Sequence, residues 1–121
     1  MSTLRWFEIP ALDIDRAALF YENVFGITLA LEDIGDGSIK RLFPADSGVA
    51  GALSQGPDWA PSEFGIVAYF DGGDDLQTVL DRVAQFGGVV VEPKQAVDAT
   101  SGYWARFRDT EGNLIGLLSP S

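Results

Sequence analysis

The residues able to do chemistry in this chain are few, and they are not the usual ones. There is no cysteine and no histidine. Their absence removes the thiolate nucleophile, the Ser-His and Cys-His pairs, the zinc-thiolate site and the commonest transition-metal ligand. What stands out is Trp6 and Glu8 in "LRWFEI", Arg41 and Arg106 among the six arginines, Tyr69, and Trp104 two residues before Arg106. An arginine fork suits a carboxylate or phosphate, and tryptophan or tyrosine faces suit a flat or cationic group. Glu8 offers a partner for an amine and is the candidate catalytic residue, with Glu8 or Tyr69 available for acid–base work. Such a set belongs to an apolar, aromatic-walled small-molecule site with a few polar anchors. Asp71, Asp74 and Asp75 around "DGGDD" read as a turn followed by a helix N-cap rather than a calcium loop, and Trp59 reads as an anchor for its own loop.

Two helices must hold these residues in place. Ile14, Ala17, Ala18, Tyr21, Val24 and Phe25 form an amphipathic stripe, with Asp13 as N-cap and Gly26 as stop. The pattern returns as Leu76, Val79, Leu80 and Val83, after Asp75 and before Gly87-Gly88, so that the helix positions map forward by 62. A short strand precedes each helix, in "LRWFEI" and "FGIVAYF". Three strand-like pieces follow each, at 27–34, 38–43 and 49–54 and again at 89–97, 103–108 and 113–118. Turns are expected at 35–37, 44–48, 98–102 and 109–113.

Each half is therefore strand, helix, strand, strand, strand. The first module covers 1–55, the Pro- and Gly-bearing stretch 54–63 is the linker, and the second module covers 64–121. In the later strands the offset drifts to 65, aligning "GALSQ" with "GLLSP" and pairing Arg41 with Arg106, Leu42 with Phe107 and Gly51 with Gly116. At that alignment Trp6, Glu8, Arg41, Val67, Tyr69, Trp104 and Arg106 share one side of their strands, with Phe7, Ile9, Leu42 and Phe107 on the helix side.

Composition narrows the partners. At 121 residues the chain fits one domain with one core, burying roughly two-thirds of its unfolded surface. Hydrophobic content of 46% is that of a globular protein. The net charge of -10 argues against nucleic acid and anionic lipid. "MSTLRWFEIP" has no apolar signal stretch and no segment is long and apolar enough to span a bilayer, so the expected location is cytoplasmic.

A tandem βαβββ pair of this length resembles the vicinal oxygen chelate superfamily, the glyoxalase, bleomycin resistance and extradiol dioxygenase fold. "IPALDIDRAALFYENVFG" is similar to that family's first strand-helix signature, and "GYWARFRDTEGNLIGLLSP" to its closing hairpin. The resemblance implies an α+β fold in which the two modules form a curved mixed sheet around a cup-shaped cavity. It also implies a homodimer. Active members hold a metal through the first and last strands of each module, positions that fall here on Trp6, Gly51, Val67 (or Ala68) and Gly116. None carries a ligating side chain, and Glu8 is the nearest substitute.

The expected function is therefore a metal-free protein that binds a small aromatic or amphipathic organic ligand through Trp6, Glu8, Arg41, Tyr69, Trp104 and Arg106, without a cofactor. Two alternatives stand beside it. One is a divergent glyoxalase-like lyase, isomerase or dioxygenase with a non-standard divalent metal or none; the other is a structural module whose cup is filled by its own side chains. Gly116, a bare position inside an apolar strand, raises the question of what it makes room for.

Overall fold

A computed structural model describes residues 3–33, 37–45 and 49–121. The turn expected at 35–37, that at 44–48 and the end of the strand expected at 27–34 extend outside the described residues. The chain divides into two compact units, Met1–Pro61 and Ser62–Ser121. Each has one helix and a four-stranded mixed sheet.

In the first unit the elements are β1 (Trp6–Pro10), α1 (Ile14–Phe25), β2 (Ala30–Asp33), β3 (Ile39–Leu42) and β4 (Ala50–Gln55). The sheet order is β1-β4-β3-β2, with β1 parallel to β4 and the other pairs antiparallel. Gln55, assigned to the linker from sequence, is the last residue of β4, and Ser54, where the expected strand and linker overlap, lies within it. Asp13 caps α1 by accepting from the Asp15 and Arg16 amides, and Gly26 ends it in the left-handed region at φ 67°. The α1 stripe of Ile14, Ala17, Ala18, Phe20, Tyr21 and Val24 is buried. It packs with Ile9, Phe43 and Leu53, and the Phe7, Phe43 and Tyr21 rings lie in sequence, 5.4 and 5.6 Å apart.

The second unit repeats this with β5 (Ala68–Asp71), α2 (Leu76–Gln85), β6 (Val89–Ala96), β7 (Tyr103–Arg108) and β8 (Leu114–Ser119), in the order β5-β8-β7-β6. Asp75 caps α2, and Asp71 accepts from the Gly73 amide, so the DGGDD segment is a turn and a cap. Leu76, Val79, Leu80 and Val83 of the helix are buried, as are Ala105, Phe107, Ile115 and Leu117 of the strands. One detail recurs in both units. The first-turn amide of each helix donates to a side chain at the end of its unit's last strand: Ile14 to Gln55 Oε1 at 2.6 Å, Leu76 to Ser119 Oγ at 3.0 Å.

These matched bonds correct the alignment of the halves. Gln55 and Ser119 are 64 apart, not 65. Lys40 pairs with Ser54 as Trp104 pairs with Leu118, and Leu42 pairs with Ala52 as Arg106 pairs with Gly116, again 64 apart. The same offset puts Phe43 beside Phe107, both buried. Strands have a side-chain period of two, so a slip of one residue reverses every face. Arg41 and Leu42 therefore exchange the sides expected of them, and the counterpart of Gly116 is Ala52 rather than Gly51. On the first strands, Glu8 faces Ala52 as Tyr69 faces Gly116, which makes Glu8 and Tyr69 counterparts.

Candidate functional site

Each sheet has one face against its helix and one without. On the helix-free face of the first unit, register places Trp6 and Glu8 of β1, Ala52 and Ser54 of β4, and Lys40 and Leu42 of β3. Lys40 forms an ion pair and hydrogen bond with Glu8, and its ammonium also donates to Ser54 Oγ at 2.9 Å. Ser54 Oγ donates to Glu8 at 2.8 Å. The Lys40 ammonium stands 4.6 Å from the centroid of the Trp59 ring. Trp59 thus contacts the polar group itself, a role beyond anchoring its loop.

Burial raises the Glu8 carboxyl pKa, but the Lys40 and Ser54 hydrogen bonds, the Lys40 charge and the Trp6 indole outweigh it and hold the group below its ordinary value. A carboxylate so held is ionised at neutral pH and a weak base, which fits poorly with the acid–base role considered for it. Its Oε1 already accepts from both Lys40 and Ser54.

Arg41 is not part of this face. Its guanidinium donates to Asp15 on α1 at 3.0 Å, on the helix side of the sheet, and the half-buried Leu42 takes the helix-free side instead. Lys40 and Ser54 are the residues that sequence reasoning missed. The available signal was Phe43: aligning it with Phe107 as the buried aromatic of the third strand gives the offset of 64 and turns Lys40 toward Glu8.

In the second unit, Tyr69 of β5, Gly116 and Leu118 of β8, and Trp104 and Arg106 of β7 share the helix-free face. Arg106 Nε donates to the Tyr69 hydroxyl at 2.7 Å. Its guanidinium carbon lies 4.9 Å from the Trp104 ring centroid and 5.6 Å from that of Tyr69. The strands therefore bring Tyr69, Trp104 and Arg106 together, as alternation predicts. Val67 lies ahead of β5, which begins one residue later, so it is no strand residue.

Gly116 is the counterpart of this arrangement. A Cβ there would fall into the Tyr69 ring, touching Cδ1, Cε1 and Cγ. Gly51 does the same for Phe7, but on the helix side of its sheet. Both glycines admit a neighbouring ring, and they do so on opposite faces.

The four positions that the resemblance assigns to metal ligands carry Trp6, Gly51 (Ala52 in the corrected register), Val67 or Ala68, and Gly116. None has a donor side chain. Among the described residues no three His, Cys, Asp or Glu side chains gather as a metal ion would require. The residues present do not fit the family's metal centre.

A paired βαβββ architecture with these strand orders defines the class. The Glyoxalase/Bleomycin resistance protein/Dioxygenase superfamily profile matches residues 3–117, and the chain belongs to that superfamily. It is 29% identical over 120 residues to the protein CFP32 of Mycobacterium tuberculosis, covering 98% of this chain and 44% of that one. The chain thus spans less than half the length of this curated relative. Among solved structures it is similar to TnmS3, an antibiotic binding protein from Streptomyces sp. CB03234, at 24% identity and a TM-score of 0.68, covering 100% of this chain and 98% of that one. It is also similar to a mutant of the fosfomycin resistance protein FosX from Listeria monocytogenes, complexed with Mn(II) and a dihydroxypropylphosphonic acid. There the identity is 16%, the TM-score 0.75 and the coverage 100% and 94%. These two likenesses concern the fold alone. No helix among the described residues is long and apolar enough to cross a membrane.

Proposed function

We propose that this chain is a small-molecule-binding member of its superfamily that works without a metal and holds an aromatic or amphipathic organic ligand. The observation that carries this reading is the Tyr69 ring lying over Gly116. Where active relatives are expected to place a metal-binding side chain, this chain places an aromatic face, and the cation beside it is an arginine rather than a metal ion. An aromatic wall with one fixed polar group is the usual lining of an organic ligand site. TnmS3, whose description is that of an antibiotic binding protein, has the same fold and supports the reading. The activity of the longer relatives is not carried over to this chain.

The test is a pair of measurements on the purified protein. Metal analysis without added chelator is expected to find no stoichiometric divalent ion, and thermal shift against a panel of flat aromatic compounds is expected to find stabilising ligands. A stoichiometric metal, or a panel without a single response, overturns the proposal.

A further inference from the structure

We infer that the helix-free face of the second unit selects a carboxylate-bearing aromatic ligand, with Arg106 as the residue that reads the carboxylate. This deepens the proposal above and rests on it. The first unit supplies the internal reference. There the cation of the face, Lys40, is neutralised by a carboxylate of the chain itself, Glu8, with Ser54 completing the set. In the second unit the counterpart of Glu8 is Tyr69, a neutral phenol. Tyr69 accepts from Arg106 Nε and so satisfies one donor of five while leaving the charge uncompensated. The terminal nitrogens of Arg106 have no hydrogen bond or ion pair among the described residues. Even Glu92, its register partner on β6, accepts instead from the Gln95 amide at 3.2 Å.

What is left is a guanidinium held by the Trp104 and Tyr69 rings and the Tyr69 hydroxyl, with its forked edge unclaimed among the described residues. A carboxylate takes such an edge through two parallel charge-assisted bonds. Because the fork is already held, little side-chain freedom is lost on binding. The exposed Tyr69 and Leu118 and the half-buried Trp104 provide apolar surface for the ring that carries the carboxylate. The external carboxylate does for Arg106 what Glu8 does for Lys40.

Calorimetry on the whole chain with one ring system in three charge states tests this: naphthalene carboxylate, naphthalene carboxamide and naphthylmethylammonium. The carboxylate is expected to bind about tenfold or more tightly than either of the others, the range of a charge-assisted hydrogen-bond pair. Arg106→Gln is expected to abolish that preference while keeping a cooperative melt. Arg82→Gln, which removes the same charge from α2 on the covered side of the sheet, is expected to preserve it. Tyr69→Phe keeps the ring and is expected to weaken carboxylate binding about threefold, giving a second readout if Arg106→Gln does not fold. Equal binding of the carboxamide or the ammonium, or a preference that survives Arg106→Gln, overturns the inference and leaves the ligand-binding proposal standing. No binding by any of the three overturns both.

Discussion

The helix-free faces of the two units are built at the same positions of the same scaffold, yet they finish their electrostatics differently. In the first, Lys40, Glu8 and Ser54 satisfy one another, and the cation rests over Trp59. In the second, Arg106 has the Trp104 and Tyr69 rings and the Tyr69 hydroxyl but, among the described residues, no anion. A self-satisfied polar group inside a sheet adds rigidity and specificity. An incompletely satisfied one contributes less to stability and keeps a capacity to bind. The repeat thus sets a cation compensated within its own face beside one that is not, while the strand order stays the same.

Substitutions can break this contrast in order of size. Gly116→Val forces a branched side chain into the Tyr69 ring and is expected to cost about 3 kcal/mol by urea unfolding, near the upper range of overpacking. In a Tyr69→Ala background the same change should cost far less, and equal costs in the two backgrounds would show that the ring is not what Gly116 accommodates. Lys40→Met leaves the Glu8 carboxylate and the buried Ser54 without their cation and is expected to cost about 2 kcal/mol.

Acid should act on the same group. The folded pKa of Glu8 lies below its unfolded value near 4.5, so its contribution is complete above that pH and is lost as pH falls through the folded pKa. Wild type and Glu8→Gln are therefore expected to differ in melting temperature at pH 7 and to converge in acid; a constant gap would remove Glu8 from the pH dependence. Arg106→Gln should be the mildest, at about 0.5 kcal/mol without ligand, since only exposed cation–π contacts and one hydrogen bond are lost. A cost matching that of Lys40→Met would erase the distinction between the two faces.

The helices were the most legible elements. A stripe such as Ile14, Ala17, Ala18 and Tyr21 with a capping aspartate and a terminal glycine states its own limits, and one residue of error at either end leaves the buried stripe unchanged. The strands were legible in number and order but not in facing. Arg41 and Arg106 make a persuasive pair because they are the same residue type, yet the buried Phe43 and Phe107 fix the true register, and one residue of slip exchanged Arg41 for Lys40. Tyr69, Trp104 and Arg106 share the face expected of them, across the intervening β8, because no slip of one residue entered the second unit. The Glu8, Lys40 and Ser54 set was missed because the slip of one residue turned Lys40 to the helix side of β3.

The hydrogen bonds from Ile14 to Gln55 and from Leu76 to Ser119 carry a consequence for how the chain acquires its shape. Each helix begins with an amide whose partner is 41 or 43 residues further along. During synthesis neither helix can secure its first turn in this way until the last strand of its own unit has emerged and docked. Such long closures slow folding more than they weaken the finished state. Each half is therefore latched only by its own final strand.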